Sequence, residues 1–147
     1  MGTSTQINPG ALLLFGSGET MPSSGKAYDY LAGQYKPPLN IAVLETPAGF
    51  QPNTQRVAEN IGDFLKKRLQ NHQPQVEIIP ARKHGTNFSP DDAAILEPML
   101  NADWVFMGPG SPTYAVQQLT GSLSLNYLRA LHLNSCAVCL ASAAVLA

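Results

Sequence analysis

Short apolar runs alternate along this chain with longer stretches whose apolar positions recur at helical spacing. Ala11–Phe15, Asn40–Leu44, Gln75–Ile79, Asp103–Met107 and Ala137–Leu140 have the length and β-branched or aliphatic content of strands. Between them, Val57, Ile61, Phe64, Leu65 and Leu69 recur every three or four residues, with Lys66, Lys67 and Arg68 at the carboxyl end, where cations suit the helix dipole. Ser24–Tyr35 and Leu123–Leu133 also read as helices. Ser111-Pro112 is a serine cap followed by proline at the first helical position, predicting a helix to about Leu119. Ser89-Pro90-Asp91-Asp92 has the same form and predicts a helix to about Leu100, interrupted by Pro98.

Strands alternating with helices imply parallel pairing, because each crossover must return to the same edge of the sheet. Apolar strands without alternation imply a sheet covered on both faces. The expected architecture is a flavodoxin-like three-layer α/β/α sandwich with a mostly parallel sheet of about five strands, forming a single domain over residues 1–147. Ligand chemistry in such sheets collects at the carboxyl ends of the strands. The loops there are 16–19, 45–49, 81–85, 108–111 and 141–143.

Composition narrows the function classes. A formal charge of −1 and 13% charged residues give no basic surface for nucleic acid. Apolar runs such as Ala11–Phe15 are far short of the roughly 20 residues of a membrane span. The first ten residues lack the basic and apolar regions of a secretion signal, so a cytoplasmic location is expected. Cys136 and Cys139 form an isolated C-x-x-C without a second ligand pair, and Cys139 falls within a strand run, so both read as small buried apolar residues. No metal or organic cofactor is implied.

Three loops carry candidate chemistry. Gly16-Ser17-Gly18-Glu19-Thr20 lacks the third glycine of a dinucleotide fingerprint, since position 21 is Met21. It also fails as a P-loop ending at Gly25-Lys26, with Thr20 and Ala27 at the required glycine and hydroxyl positions. It is either a tight strand-to-helix turn or a device that points Glu19 into the cleft mouth to hold a substrate amine or guanidinium. Gly108-Pro109-Gly110-Ser111-Pro112 turns abruptly into a helix and could aim backbone N–H groups at an oxyanion. Ser142 follows the last strand among small residues, Ala141, Ala143 and Ala144, as a nucleophile elbow requires, and the amide after a nucleophile, here that of Ala143, usually forms half of the oxyanion hole. Of the histidines, His72 and His132 read as solvated, whereas His84 lies in a loop at the functional edge and is a candidate substrate contact.

Three segments resemble the peptidase E and cyanophycinase family of serine peptidases, within the class I glutamine-amidotransferase-like fold. They are Phe106-Met107-Gly108-Pro109-Gly110-Ser111-Pro112-Thr113-Tyr114-Ala115, Leu13-Leu14-Phe15-Gly16-Ser17-Gly18-Glu19 and the turn around Ser142. The resemblance implies hydrolysis of short peptides or isopeptide-like amides. Ser142 would be the nucleophile and Gly110 and Ala143 the oxyanion donors, while Glu19, Ser111 and His84 stand as candidate substrate contacts from their loop positions. It also implies a histidine and an acid from later strands, so the chain is expected to correspond to the N-terminal part of the family domain and to be inactive alone. The family elbow is usually G-x-S-A-G-A; here Leu140 and Ala144 stand at the glycine positions. The competing expectation is a non-catalytic relative acting as a binding or structural module. Cysteine at the elbow, which a glutamine amidotransferase would use, is replaced by Ser142. Small peptides are the expected ligands, and either self-association through an exposed sheet edge or a partner supplying the missing elements is expected.

Overall fold

The computed structural model describes residues 6–147. Five strands, β1 (Leu12–Phe15), β2 (Asn40–Leu44), β3 (Gln75–Ile79), β4 (Trp104–Met107) and β5 (Ala137–Ala141), alternate with helices α1 (Gly25–Ala32), α2 (Thr54–Arg68), α3 (Ala93–Leu96), α4 (Pro112–Leu119), α5 (Leu123–Leu133) and α6 (Ala143–Leu146). The sheet is parallel throughout, in the order β1-β5-β4-β2-β3. This is the α/β architecture expected.

Right-handed crossovers explain the layers. The chain moves from β1 across to β2 and on to β3 in one direction, then returns through β4 to β5. A reversal of direction puts the later helices on the opposite face. Tyr28 and Leu31 of α1 and Ala58, Ile61 and Leu65 of α2 accordingly pack with Ile41, Val43, Trp104, Phe106 and Cys139 on one face. Leu119 of α4 and Leu128 of α5 pack with Ala42, Leu44, Val105, Met107 and Val138 on the other. The inner strands β2, β4 and β5 are apolar on both faces because both are covered. Edge strand β3 instead alternates exposed Gln75 and Glu77 with inward Val76 and Ile78.

Edge strand β1 departs from the sequence expectation. Leu13 and Phe15 face the α1 layer, but Leu12 and Leu14 are 61% and 56% exposed on the opposite face. Among the described residues its apolar run is covered on one face only.

The helix expected from Ser89 is also corrected. Asp92 caps the helix, accepting from the amides of Ala94 and Ile95, and α3 begins only at Ala93. The preceding residues are drawn to α5 instead. Pro90 O accepts from Ser124 N, and Asp91 Oδ1 accepts from Leu123 N. Pro98 then tightens the chain into a 3-10 turn over Glu97–Asn101.

Candidate active site

The backbone of Ser142 marks the site. It has φ +53° and ψ −119°, the first central position of a type II′ turn, which glycine dominates because it has no Cβ. β5 ends one residue before it and α6 begins one residue after it. Its amide donates to Phe15 O at 3.0 Å, tying the turn to the end of β1. Ala141, Ala143 and Ala144 are all buried, leaving space for so sharp a turn. The strained geometry forms with Leu140 and Ala144 in place. Leu140 packs with Ala144 into the α5-side core rather than between strand and helix.

Gly110 approaches the same place from β4. An added Cβ would lie 1.9 Å from Pro47 O, so the 108–111 loop can take this path only with glycine. Ser111 N donates to Pro47 O at 2.9 Å, and Ser111 Oγ accepts from Tyr114 N at 3.2 Å, capping α4. Gly16, Gly110, Pro112, Ser142, Ala143, Val145 and Leu146 surround a cavity of about 310 Å³. It lies where the loops leaving neighbouring strands β1 and β5 diverge to opposite faces of the sheet, the usual ligand position in such folds. The amide of Ala143 opens α6 and has no partner within that helix, and the amide of Gly110 has no backbone partner among the described residues. The arrangement brings Ser142, Ala143 and Gly110 to the lining of one cavity.

The other sequence candidates do not line it. The Glu19 carbonyl accepts from Tyr28 Oη at 2.8 Å, which anchors its loop to α1, and Glu19 does not line the cavity. Ser111 spends its hydroxyl on the α4 cap. His84 follows β3, three strands from β5, a displacement of roughly 14 Å at the usual strand spacing. Its Nδ1 is 2.7 Å from Asp91 Oδ2, and its backbone N–H donates to Gln118. His72 and His132 precede β3 and β5, at the opposite end of the sheet. Among the described residues no histidine lines the Ser142 cavity.

Sequence reading named the 45–49 and 81–85 loops but missed the ion pair that joins them. Glu45, whose side chain is 1% exposed, accepts from Arg82 Nε at 2.5 Å. The guanidinium also lies 4.3 Å above the Phe88 ring, and Tyr114 Oη donates to Arg82 O at 2.6 Å. The available signal was an acid placed directly after the apolar run Ile41–Leu44, where a buried charge needs a partner.

Cys136 and Cys139 are both buried. Burial, reinforced by Asp103, pushes the Cys136 thiol up to about 12, and burial also raises that of Cys139. Among the described residues no three His, Cys, Asp or Glu side chains gather as metal ligands, and no helix is long and apolar enough to cross a membrane.

No family profile and no curated protein matches the chain. Solved structures do share its fold. One is a peptidase from an acI-B1 Actinobacterium, with a TM-score of 0.73 and 18% identity over 92% of this chain and 55% of that one. Another is a candidate peptidase E protein from Listeria monocytogenes EGD-e, with a TM-score of 0.62 and 13% identity over 93% of this chain and 60% of that one. The chain thus spans little more than half the length of these peptidase-like structures.

Proposed function

We propose that this chain carries the nucleophile half of a serine peptidase site of the peptidase E type. The observation that carries this reading is the positive φ of Ser142 at the end of β5, on a cavity shared with Gly110 and Ala143. A non-glycine residue is held in such a conformation only when its surroundings enforce it, and these outliers cluster at functional sites. In the proposed reaction Ser142 Oγ attacks an amide carbonyl, and the Gly110 and Ala143 N–H groups receive the charge that develops on its oxygen. The cavity volume suits one side chain of a short peptide or isopeptide-like amide. Glu19, three residues beyond cavity-lining Gly16, is the proposed contact for a substrate amine. Ser111 and His84 are left out because the hydroxyl caps α4 and the imidazole is held by Asp91. A cytoplasmic location belongs to the same proposal.

The described residues place no base beside Ser142, and a serine without one is a weak nucleophile at neutral pH. Oxyanion donors and binding alone sustain about 10³–10⁴-fold acceleration over water, negligible for amide hydrolysis. We therefore expect the chain alone to turn over dipeptides or isoaspartyl peptides hardly at all. It should still form one fluorophosphonate adduct, absent from Ser142→Ala, when followed by intact mass over long incubation. An adduct retained in Ser142→Ala would overturn the assignment of the nucleophile. Steady hydrolysis abolished by Ser142→Ala would overturn the expected inactivity. The absence of histidine from the cavity favours a second reading, a peptide-binding module. Peptide binding by calorimetry, unchanged in Ser142→Ala and without any adduct, would select it.

A further inference from the structure

We infer that Glu45 and Arg82 are positioning residues for the proposed reaction: their ion pair holds the 45–49 turn that seats the Gly110 amide at the Ser142 cavity. The inference rests on the proposed roles of Ser142 and Gly110. Glu45 follows β2 directly and its side chain is buried, while Arg82 lies beyond β3 and donates from Nε to Glu45 Oε2 at 2.5 Å. Neither residue lines the Ser142 cavity, so both act on the reaction only through the loop they hold.

A closed ring of contacts leads from the pair to Gly110. Thr46 Oγ1 donates to Ala81 O at 2.7 Å and Ala48 N to Glu45 O at 3.0 Å, so the turn is tied to the residue before Arg82 and to itself. An added Cβ on Gly49 would lie 2.4 Å from Arg82 O, so the end of the turn lies flat against the Arg82 backbone. That same carbonyl accepts from Tyr114 Oη at 2.6 Å, on the helix that Ser111 caps. Between these anchors, Pro47 O accepts from Ser111 N at 2.9 Å and leaves no room for a side chain on Gly110. The turn is thus one wall of the slot in which Gly110 lies. A buried ion pair is a poor source of stability, because apolar side chains of like volume often serve as well or better. What it adds is a fixed geometry: the guanidinium fork meets a carboxylate in few orientations, and the Phe88 ring backs it 4.3 Å away. An oxyanion donor needs such a support, since misplacement by about 1 Å can cost about 100-fold in rate.

The test uses the full chain carrying Glu45→Met together with Arg82→Met, which removes both charges at similar volume and should melt near the parent. Arg82→Lys, which keeps the charge without the fork, is the second variant. Asp29→Asn, which breaks the exposed Arg68–Asp29 pair between α1 and α2, is the control. In proton–nitrogen NMR spectra the Gly110 and Ser111 amides should shift in both variants, and the Ser111 amide should exchange faster with solvent. Fluorophosphonate labelling, in which Ser142 Oγ displaces fluoride from phosphorus and its proton passes to solvent, should slow by about tenfold or more, because the phosphoryl oxygen loses an aligned donor. The control should match the parent in both measurements. Gly110 and Ser111 amides unmoved in both variants, or labelling at the parent rate in both, would overturn the proposal. A parent that forms no adduct would overturn the nucleophile assignment and the catalytic half of this inference with it, while the amide shifts would still establish or refute the hold on Gly110.

Discussion

Replacing Ser142 by glycine should make the protein more stable while removing its proposed nucleophile. The residue sits at φ +53° and ψ −119°, where a side chain costs about 1–3 kcal/mol and glycine sits without strain. Glycine in turn adds unfolded-state entropy worth about 0.5–1 kcal/mol. The hydroxyl makes no capping hydrogen bond, so its loss contributes little. The net gain is about 0–2.5 kcal/mol, centred near 1.2, and at about 2–4 °C per kcal/mol for a domain of this size Tm should rise by roughly 2–5 °C at that central value. Ser142→Ala is the control, because it removes the hydroxyl and keeps the Cβ; it should melt close to the parent. Differential scanning calorimetry of the three proteins at one concentration, to hold any dimerisation constant, measures the differences. If Ser142→Gly melts at or below Ser142→Ala, the turn is not strained and the argument for an enforced elbow fails.

Arg82→Ala leaves the Glu45 carboxylate buried without its partner, and denaturant unfolding should show a loss of about 3 kcal/mol. Asp91 is held below the usual carboxylate range, first by the Leu123 N–H and then by His84. A lowered folded-state value stabilises above the unfolded pKa, and that contribution disappears as pH falls through the folded value. Asp91→Asn should therefore be less stable than the parent near neutral pH, with the difference shrinking under acid in melts recorded from neutral to acidic pH. Cys136 and Cys139 are buried with raised thiol pKa values, so a disulfide reagent at about pH 8 should modify neither until denaturant unfolds the chain.

The strand and helix positions were legible because burial leaves a period in the sequence. α2 shows it as Ala58, Ile61 and Leu65 on one buried stripe, and β3 as alternation between Glu77 and Ile78. The parallel sheet followed from the order of the elements. Ser142 stood out because the run of alanines around it has no other reason to interrupt a strand, and Gly110 because two glycines bracket a proline before a capped helix. The sequence also marked Ser111-Pro112 correctly as a helix start, and the same signal at Ser89-Pro90 misled. There the start moved to Asp92, because Pro90 and Asp91 bond to α5, thirty residues away.

What local sequence determined, then, is which segments are strands and helices and which loops stand at the carboxyl edge. Their side-chain periods and turn residues act over a few positions. Which loops meet was decided only by the tertiary structure. Strand order puts the ends of β1 and β5 side by side, so Gly16 and Ser142 share a cavity, while it carries His84 three strands away. It also sets Glu45 against Arg82 and, among the described residues, leaves Leu12 and Leu14 of β1 uncovered on one face. The physical reason is that crossover direction and strand neighbours depend on how the whole apolar surface is buried at once. No local stretch of the chain encodes that.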